Sequence, residues 1–258
     1  IAEQNLNKLR ISNELKAESI SSSRLSMQHL NIFWQENDPE LLRRYIQLIP
    51  LTPDTSFRLT GGTKKGTVDE RALMFAILRR VPVLAEYEKE LEAVMMGDAR
   101  KAWKQWAKNW YENQVVELDE YSDGAYLSYL IKKVRAELKG PLLKMVKAMC
   151  EHGESTNVVI GKLRVIFAKI SLEKLEPDLV IMDEFQRFKY LIKADPETDT
   201  GLLANKFFYS DKVRMLLLSA TPYKMYSTLE EIDEARMDEH YSEFLDVMDF
   251  LNISEEEK

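Results

Sequence analysis

Two short apolar runs limit what this chain can fold into. Leu179-Val180-Ile181-Met182 is unbroken and leads into Asp183-Glu184, and the run from Val213 to Leu218 leads into Ser219-Ala220-Thr221-Pro222. Runs of this kind suit strands of a parallel sheet buried on both faces. Helical segments are expected between them, around residues 186–192 and 201–209. Strand–helix–strand alternation is an α/β signature.

Upstream the pattern is different. Residues 84–152 read almost wholly as helix, with apolar positions recurring at three and four and few β-branched runs. Pro141 and Gly153 punctuate this stretch, which reads as a large helical insertion or subdomain. Before it, residues 1–10 read as helix, and Asp38-Pro39-Glu40 opens another that runs to about Gln47, with Asp as cap and Pro in the first turn. Thr60 to Gly66 is a Gly/Lys/Thr loop, after which Thr67-Val68-Asp69-Glu70 has capping-box spacing and opens a helix to about Arg80. The expected organisation is therefore a first lobe segment at 1–83, the insertion at 84–152, a second lobe segment at 153–228 and an acidic helical tail at 229–258. Ile1-Ala2-Glu3-Gln4-Asn5-Leu6 reads as the middle of a helix, so the chain is expected to be a piece of a longer one.

At 258 residues and 45% apolar, the chain has enough material for one large domain or a core domain with an insertion. It holds no run of about 18 apolar residues, so no membrane span is expected. Its start does not read as a signal peptide, which needs a basic beginning and then an apolar block. The single cysteine, Cys150, excludes an internal disulfide or a Cys-rich metal cage, and a reducing, cytoplasmic setting is expected. Net charge is −7, but residues 229–258 hold 12 acidic and 2 basic residues, which leaves the rest of the chain at +3. That balance is compatible with a basic groove for nucleic acid on the remainder.

The strongest chemical signal lies where the first apolar run ends. Parallel strands of open α/β sheets present their ligand sites at their carboxyl ends. Two carboxylates placed there suit nucleotide hydrolysis: Asp183 to hold Mg²⁺ and Glu184 to orient and deprotonate an attacking water. Gln186, two residues on, would sense the terminal phosphate. Ser219, Ala220 and Thr221 stand directly after the second run, and their hydroxyls would couple the acidic segment to movement between lobes.

An apolar strand ending in Asp183-Glu184-Phe185-Gln186, followed by one ending in Ser219-Ala220-Thr221, resembles motifs II and III of superfamily 2 helicases and translocases. Ile1-Ala2-Glu3-Gln4 looks like the end of motif Ia, and Leu51-Thr52-Pro53 sits roughly where motif Ib falls. The strings around Asp183 to Lys189 and Leu216 to Tyr226 resemble large bacterial helicase-like proteins, some associated with defence against phage. The matches cover about thirty of the 258 residues. The resemblance implies a partial RecA-like (P-loop NTPase) lobe, ATP and Mg²⁺ as cofactors of the parent protein, and a nucleic-acid partner, DNA rather than RNA. It also implies contacts from Gln4, Thr52, Pro53, Thr55 and Ser56 to the nucleic-acid backbone. No G-x-x-x-x-G-K-[ST] loop occurs in the chain. In the family that loop precedes motif Ia, so the fragment is expected to be inactive alone and to bind no nucleotide. Two other readings remain open: a docking module of a degenerate helicase-like protein, engaging other subunits through the insertion, and an unrelated α/β binding protein.

Several features carry plainer expectations. Gly61 and Gly66 have P-loop spacing, but Thr67 stands where the lysine belongs, so the segment reads as a surface loop. Trp103, Trp106 and Trp110 share one helical face, and such a stripe is expected to be core between helices, base stacking being the alternative if it is exposed. Arg100, Lys101, Lys104 and Lys108, with Lys132, Lys133 and Arg135, read as solvated basic helix surface, with a phosphate-tracking face as the alternative. Cys150 falls on an apolar face and is expected in the core. His29, His152 and His240 lack ligand spacing, so no metal site is assigned to them.

Overall fold

The described helical unit is built around a short helix whose last two turns are apolar on every side. The sequence Val68 to Leu78 carries Ala72, Leu73, Met74, Phe75, Ala76, Ile77 and Leu78 in unbroken succession, and all of them are buried. A helix apolar all round must sit inside a bundle. The computed structural model describes residues 24–37, 49, 65–183, 201 and 213–218. The chain divides after Glu176 into two compact units, and each is described by itself.

In the first unit a 3-10 turn at Leu25–Met27 leads into α1 (Gln28–Asn37). Then follow α2 (Val68–Leu78), a 3-10 segment at Pro82–Tyr87, α3 (Glu88–Met96) and the long α4 (Lys101–Tyr121). α5 (Ala125–Glu137), α6 (Gly140–His152) and α7 (Thr156–Lys174) complete it. α2 packs most extensively on α4 and also meets α3 and α5, while α7 meets α1, α5 and α6. One hydrophobic cluster runs from Met27 to Ile170, so the helices of residues 84–152 share a core with α1, α2 and α7.

Local chemistry sets several boundaries. Thr67 caps α2, its hydroxyl accepting the Glu70 backbone N–H at 3.2 Å. Pro141 lies in the first turn of α6, where its missing N–H costs nothing, and Gly153 ends that helix in the left-handed region with φ 69°. These agree with the sequence expectations. The helices at α1 and α7 are not anticipated by sequence. The α7 segment is rich in valine and isoleucine, residues that favour strands, yet Val159, Ile160, Leu163, Ile166, Phe167 and Ile170 are buried at helical spacing. Burial outweighs propensity there. The helices expected at residues 1–10 and 38–47 lie outside the described residues.

In the second unit β1 (Leu179–Asp183) and β2 (Arg214–Leu218) form a two-stranded parallel sheet. The described fold is thus mixed but mostly helical. The expectation of strands buried on both faces is corrected. Leu179, Ile181, Leu216 and Leu218 are 53%, 38%, 46% and 42% exposed, whereas the alternate residues Val180, Met182, Met215 and Leu217 are partly buried. Alternate side chains of a strand point to opposite faces, so one apolar face of this pair stands open and the other is half covered. Among the described residues no helix is long and apolar enough to cross a membrane.

Candidate functional site

The sequence points to the carboxyl ends of β1 and β2, and the pairing of these strands defines what can be built there. Leu179 lies opposite Arg214, Ile181 opposite Leu216 and Asp183 opposite Leu218, all in parallel. The ladder is entered by the Arg214 N–H, which donates to the Asp178 carbonyl at 3.0 Å. Parallel strands lie about 4.8 Å apart, so Asp183 and Leu218 end their strands side by side. Parallel neighbours need a crossover of roughly a dozen residues or more, and thirty residues separate Asp183 from Arg214. Equal strand lengths and zero stagger mean that the two strands end at the same level.

Of the residues singled out in the sequence, Asp183 is placed by its backbone as the last residue of β1. Glu184, Gln186, Ser219, Ala220 and Thr221 lie outside the described residues, as do Gln4, Thr52, Pro53, Thr55 and Ser56. Among the described residues, no group of three or more His, Cys, Asp or Glu side chains is arranged to hold a metal ion. No family model matches this chain, and no curated protein or solved structure matches it either.

The helical unit holds polar chemistry of its own, and most of it is structural. Gly66 has φ 75°, and an added Cβ would collide with the Glu70 carboxylate and stand 2.7 Å from Arg164 Nε. The second glycine of the loop with P-loop spacing is there to let the backbone pass over a buried ion pair. That pair is Arg164 Nε on Glu70 Oε1 at 2.8 Å, with the Ser26 hydroxyl donating to the same carboxylate oxygen. Glu70 therefore does not close the reciprocal half of the capping box; its side chain is drawn into the core instead. Arg71, also buried, donates to the Met95 carbonyl at 2.6 Å and to Asp98 at 2.5 Å. Burial pushes the Asp98 carboxyl up, but Arg71 and Lys65 outweigh it and hold the group below its ordinary value.

His29 is fully buried between the rings of Tyr126 and Phe167, and its Nδ1 lies 3.1 Å from the Tyr126 hydroxyl. Burial lowers its pKa to about 3, so the ring is neutral. Its backbone N–H donates to Ser171 Oγ at 3.0 Å, which ties α1 to α7. Cys150 is buried as expected, and burial, with Glu90 and Glu151 nearby, pushes its thiol up to about 11. A thiol held that high is a poor nucleophile.

Two surface features differ from one another in how the sequence represents them. Lys133 pairs with Glu173, whereas Lys132 and Arg135 join Lys139, Ser128, Ile131 and Ala136 around an open groove of about 500 Å³ on α5. The tryptophan stripe of α4 is a correction: Trp103, Trp106 and Trp110 are 48%, 48% and 51% exposed. Ala107, Val115 and Leu118 are the residues of α4 that are buried. At about 100° per residue the indoles are centred roughly 100° round the helix from that stripe. Sequence periodicity shows two apolar stripes on α4 and does not say which one meets the bundle.

Proposed function

We propose that the chain supplies the Mg²⁺-binding and hydrolysis half of a nucleic-acid-dependent ATPase site, as part of a RecA-like lobe of a superfamily 2 helicase or translocase. The observation that carries this reading is the level, parallel ending of β1 and β2, with Asp183 opposite Leu218. It is the arrangement that an Asp-Glu-x-Gln turn and a Ser-Ala-Thr turn need if they are to share one ligand site at the carboxyl edge of a sheet.

In this reading Asp183 would hold Mg²⁺, Glu184 would orient and deprotonate the attacking water, and Gln186 would report the terminal phosphate. Ser219 and Thr221, spaced by the small Ala220, would relay that state to the nucleic-acid path. Gln4, Thr52, Pro53, Thr55 and Ser56 would touch its backbone. Bound Mg-ATP supplies the transferable phosphoryl group and the charge that the protein must neutralise. The phosphate-binding loop and the second lobe would come from other parts of the parent protein, because this chain has no G-K-[ST] loop.

The test is Glu184→Gln in the full-length parent. Nucleic-acid-stimulated ATP turnover should fall by about 100-fold or more, as for the loss of a catalytic base, while ATP binding persists. Turnover at the unaltered rate would defeat the assignment. The same absence of a G-K-[ST] loop favours a second reading, a non-catalytic docking module from a degenerate helicase-like protein. A parent that binds no ATP at all would select it.

A further inference from the structure

Many surface cations of the helical unit are matched by carboxylates on neighbouring helices. Arg79 pairs with Glu88, Lys108 with Glu92 and Lys174 with Glu36. The stretch from Ala125 to Cys150 departs from that pattern. It holds six cations and one carboxylate, in a chain whose net charge is −7. Lys133 and Lys147 find partners in Glu173 and Glu86. Lys132, Arg135 and Lys139 are exposed and carry no ion pair among the described residues. With Ser128 they line the open groove of about 500 Å³ on α5.

Helix geometry keeps the neighbouring carboxylate away from these cations. At about 100° per residue, Lys132 lies about 40° from Ser128 on one side and Arg135 about 20° on the other. The buried residues Tyr126, Leu130 and Val134 are centred about 200° round from Ser128, so the cations stand on the face away from the core. Glu137 falls about 180° round from Ser128 and acts on Lys133 instead. Lys132 and Arg135 are three residues apart and repel one another. The helical unit gains nothing from this arrangement, whereas a polyanion laid along it would.

The character of the groove narrows the choice of polyanion. It is open and its cations are exposed, which does not suit a small free anion, whose sites enclose it in converging donors. Its apolar members are Ile131 and Ala136. They provide neither the large side chains that an interfacial helix sinks into a membrane nor the aromatic anchors of a protein interface. Lys, Arg and Ser are residue types that contact phosphate oxygens of nucleic acid. A row of cations fits a polymer that carries a charge at every step.

We infer that the α5 groove binds the sugar–phosphate backbone of nucleic acid, with Lys132, Arg135 and Lys139 neutralising phosphates and the Ser128 hydroxyl donating to a phosphate oxygen. This rests on the proposed function for the class of partner alone. Its residues lie outside the strand-end site, and its test needs no nucleotide and no turnover, so either proposal can fail without the other.

The experiment is fluorescence anisotropy of labelled DNA, duplex and single-stranded, in two unrelated sequences, titrated with the 258-residue chain at several salt concentrations. Affinity should fall linearly on log–log axes as salt rises, and both sequences should bind alike, as backbone contacts require. The triple variant Lys132→Ala, Arg135→Ala, Lys139→Ala should flatten the slope by about 2.7 on duplex, at roughly 0.9 per lost phosphate contact, or by about 2.1 on single strands. Lys132→Arg with Lys139→Arg keeps the charge and should keep the slope. Lys89→Ala, Arg100→Ala and Lys101→Ala together remove the same charge from exposed positions elsewhere and should leave the slope unaltered. A groove triple variant with native circular dichroism and an unaltered slope overturns the proposal, as does equal flattening by the second triple variant. So does a wild-type chain that ignores both forms of DNA but binds phosphatidylserine vesicles or an acidic peptide.

Discussion

The helical unit and the two-stranded sheet differ in where they keep their apolar residues. In the helical unit Leu73, Met74, Ile77 and Phe167 are sealed, and even polar groups such as His29, Glu70 and Arg71 are enclosed with hydrogen-bonding partners. In the sheet, Leu179, Ile181, Leu216 and Leu218 stand open on one face. The difference teaches that stability and proposed chemistry reside in separate parts of the chain. A closed core fixes a scaffold, whereas a strand pair ending level in Asp183 and Leu218 is marginal alone.

That contrast can be broken by measurement. The largest effect is expected at Phe167→Ala, which empties a fully buried ring site beside His29 and should cost about 3–5 kcal/mol in urea unfolding. A cost below about 1 kcal/mol would mean that the helical core is looser than its burial indicates.

A smaller effect should appear on acidification. The folded pKa of His29 is depressed from 6.5 to about 3. The unfolded chain therefore takes up a proton on this ring below about pH 6.5 while the folded chain does not, and stability falls as pH drops through that window. Between pH 7 and pH 4.5 the ring's share is about 2–3 kcal/mol. His29→Gln should remove that part of the pH dependence, which paired unfolding curves of the two proteins would reveal. Equal pH dependence in both would place the acid sensitivity elsewhere.

The smallest effect is expected on the sheet. Leu216→Ser alters a residue that is 46% exposed and should change stability by no more than about 0.5–1 kcal/mol. A loss as large as that of Phe167→Ala would show that this face is covered in the folded protein and would erase the distinction between the two units.

Particular residues show how much was legible beforehand. Thr67 and its helix, the break at Pro141 and Gly153, and the parallel strand pair were all readable, because caps, breakers and apolar runs act over a few residues. The motif pair is read from sequence alone, and the register adds that the two strands preceding it end level. The tryptophans of α4 are exposed against expectation because periodicity identifies a stripe and not what lies opposite it. Glu70 has the spacing of a capping box, yet Ser26 and Arg164, distant in sequence, claim its carboxylate.

The sequence by itself determined which segments become helices or strands wherever a local signal was strong, and it determined the order in which carboxylates and hydroxyls follow the two strands. Tertiary structure alone decided which face of α4 is buried, that a β-branched segment forms α7, and that His29 stays neutral. The physical reason is that burial and electrostatic environment are properties of neighbours brought together by folding, and no stretch of a few residues contains its own neighbours.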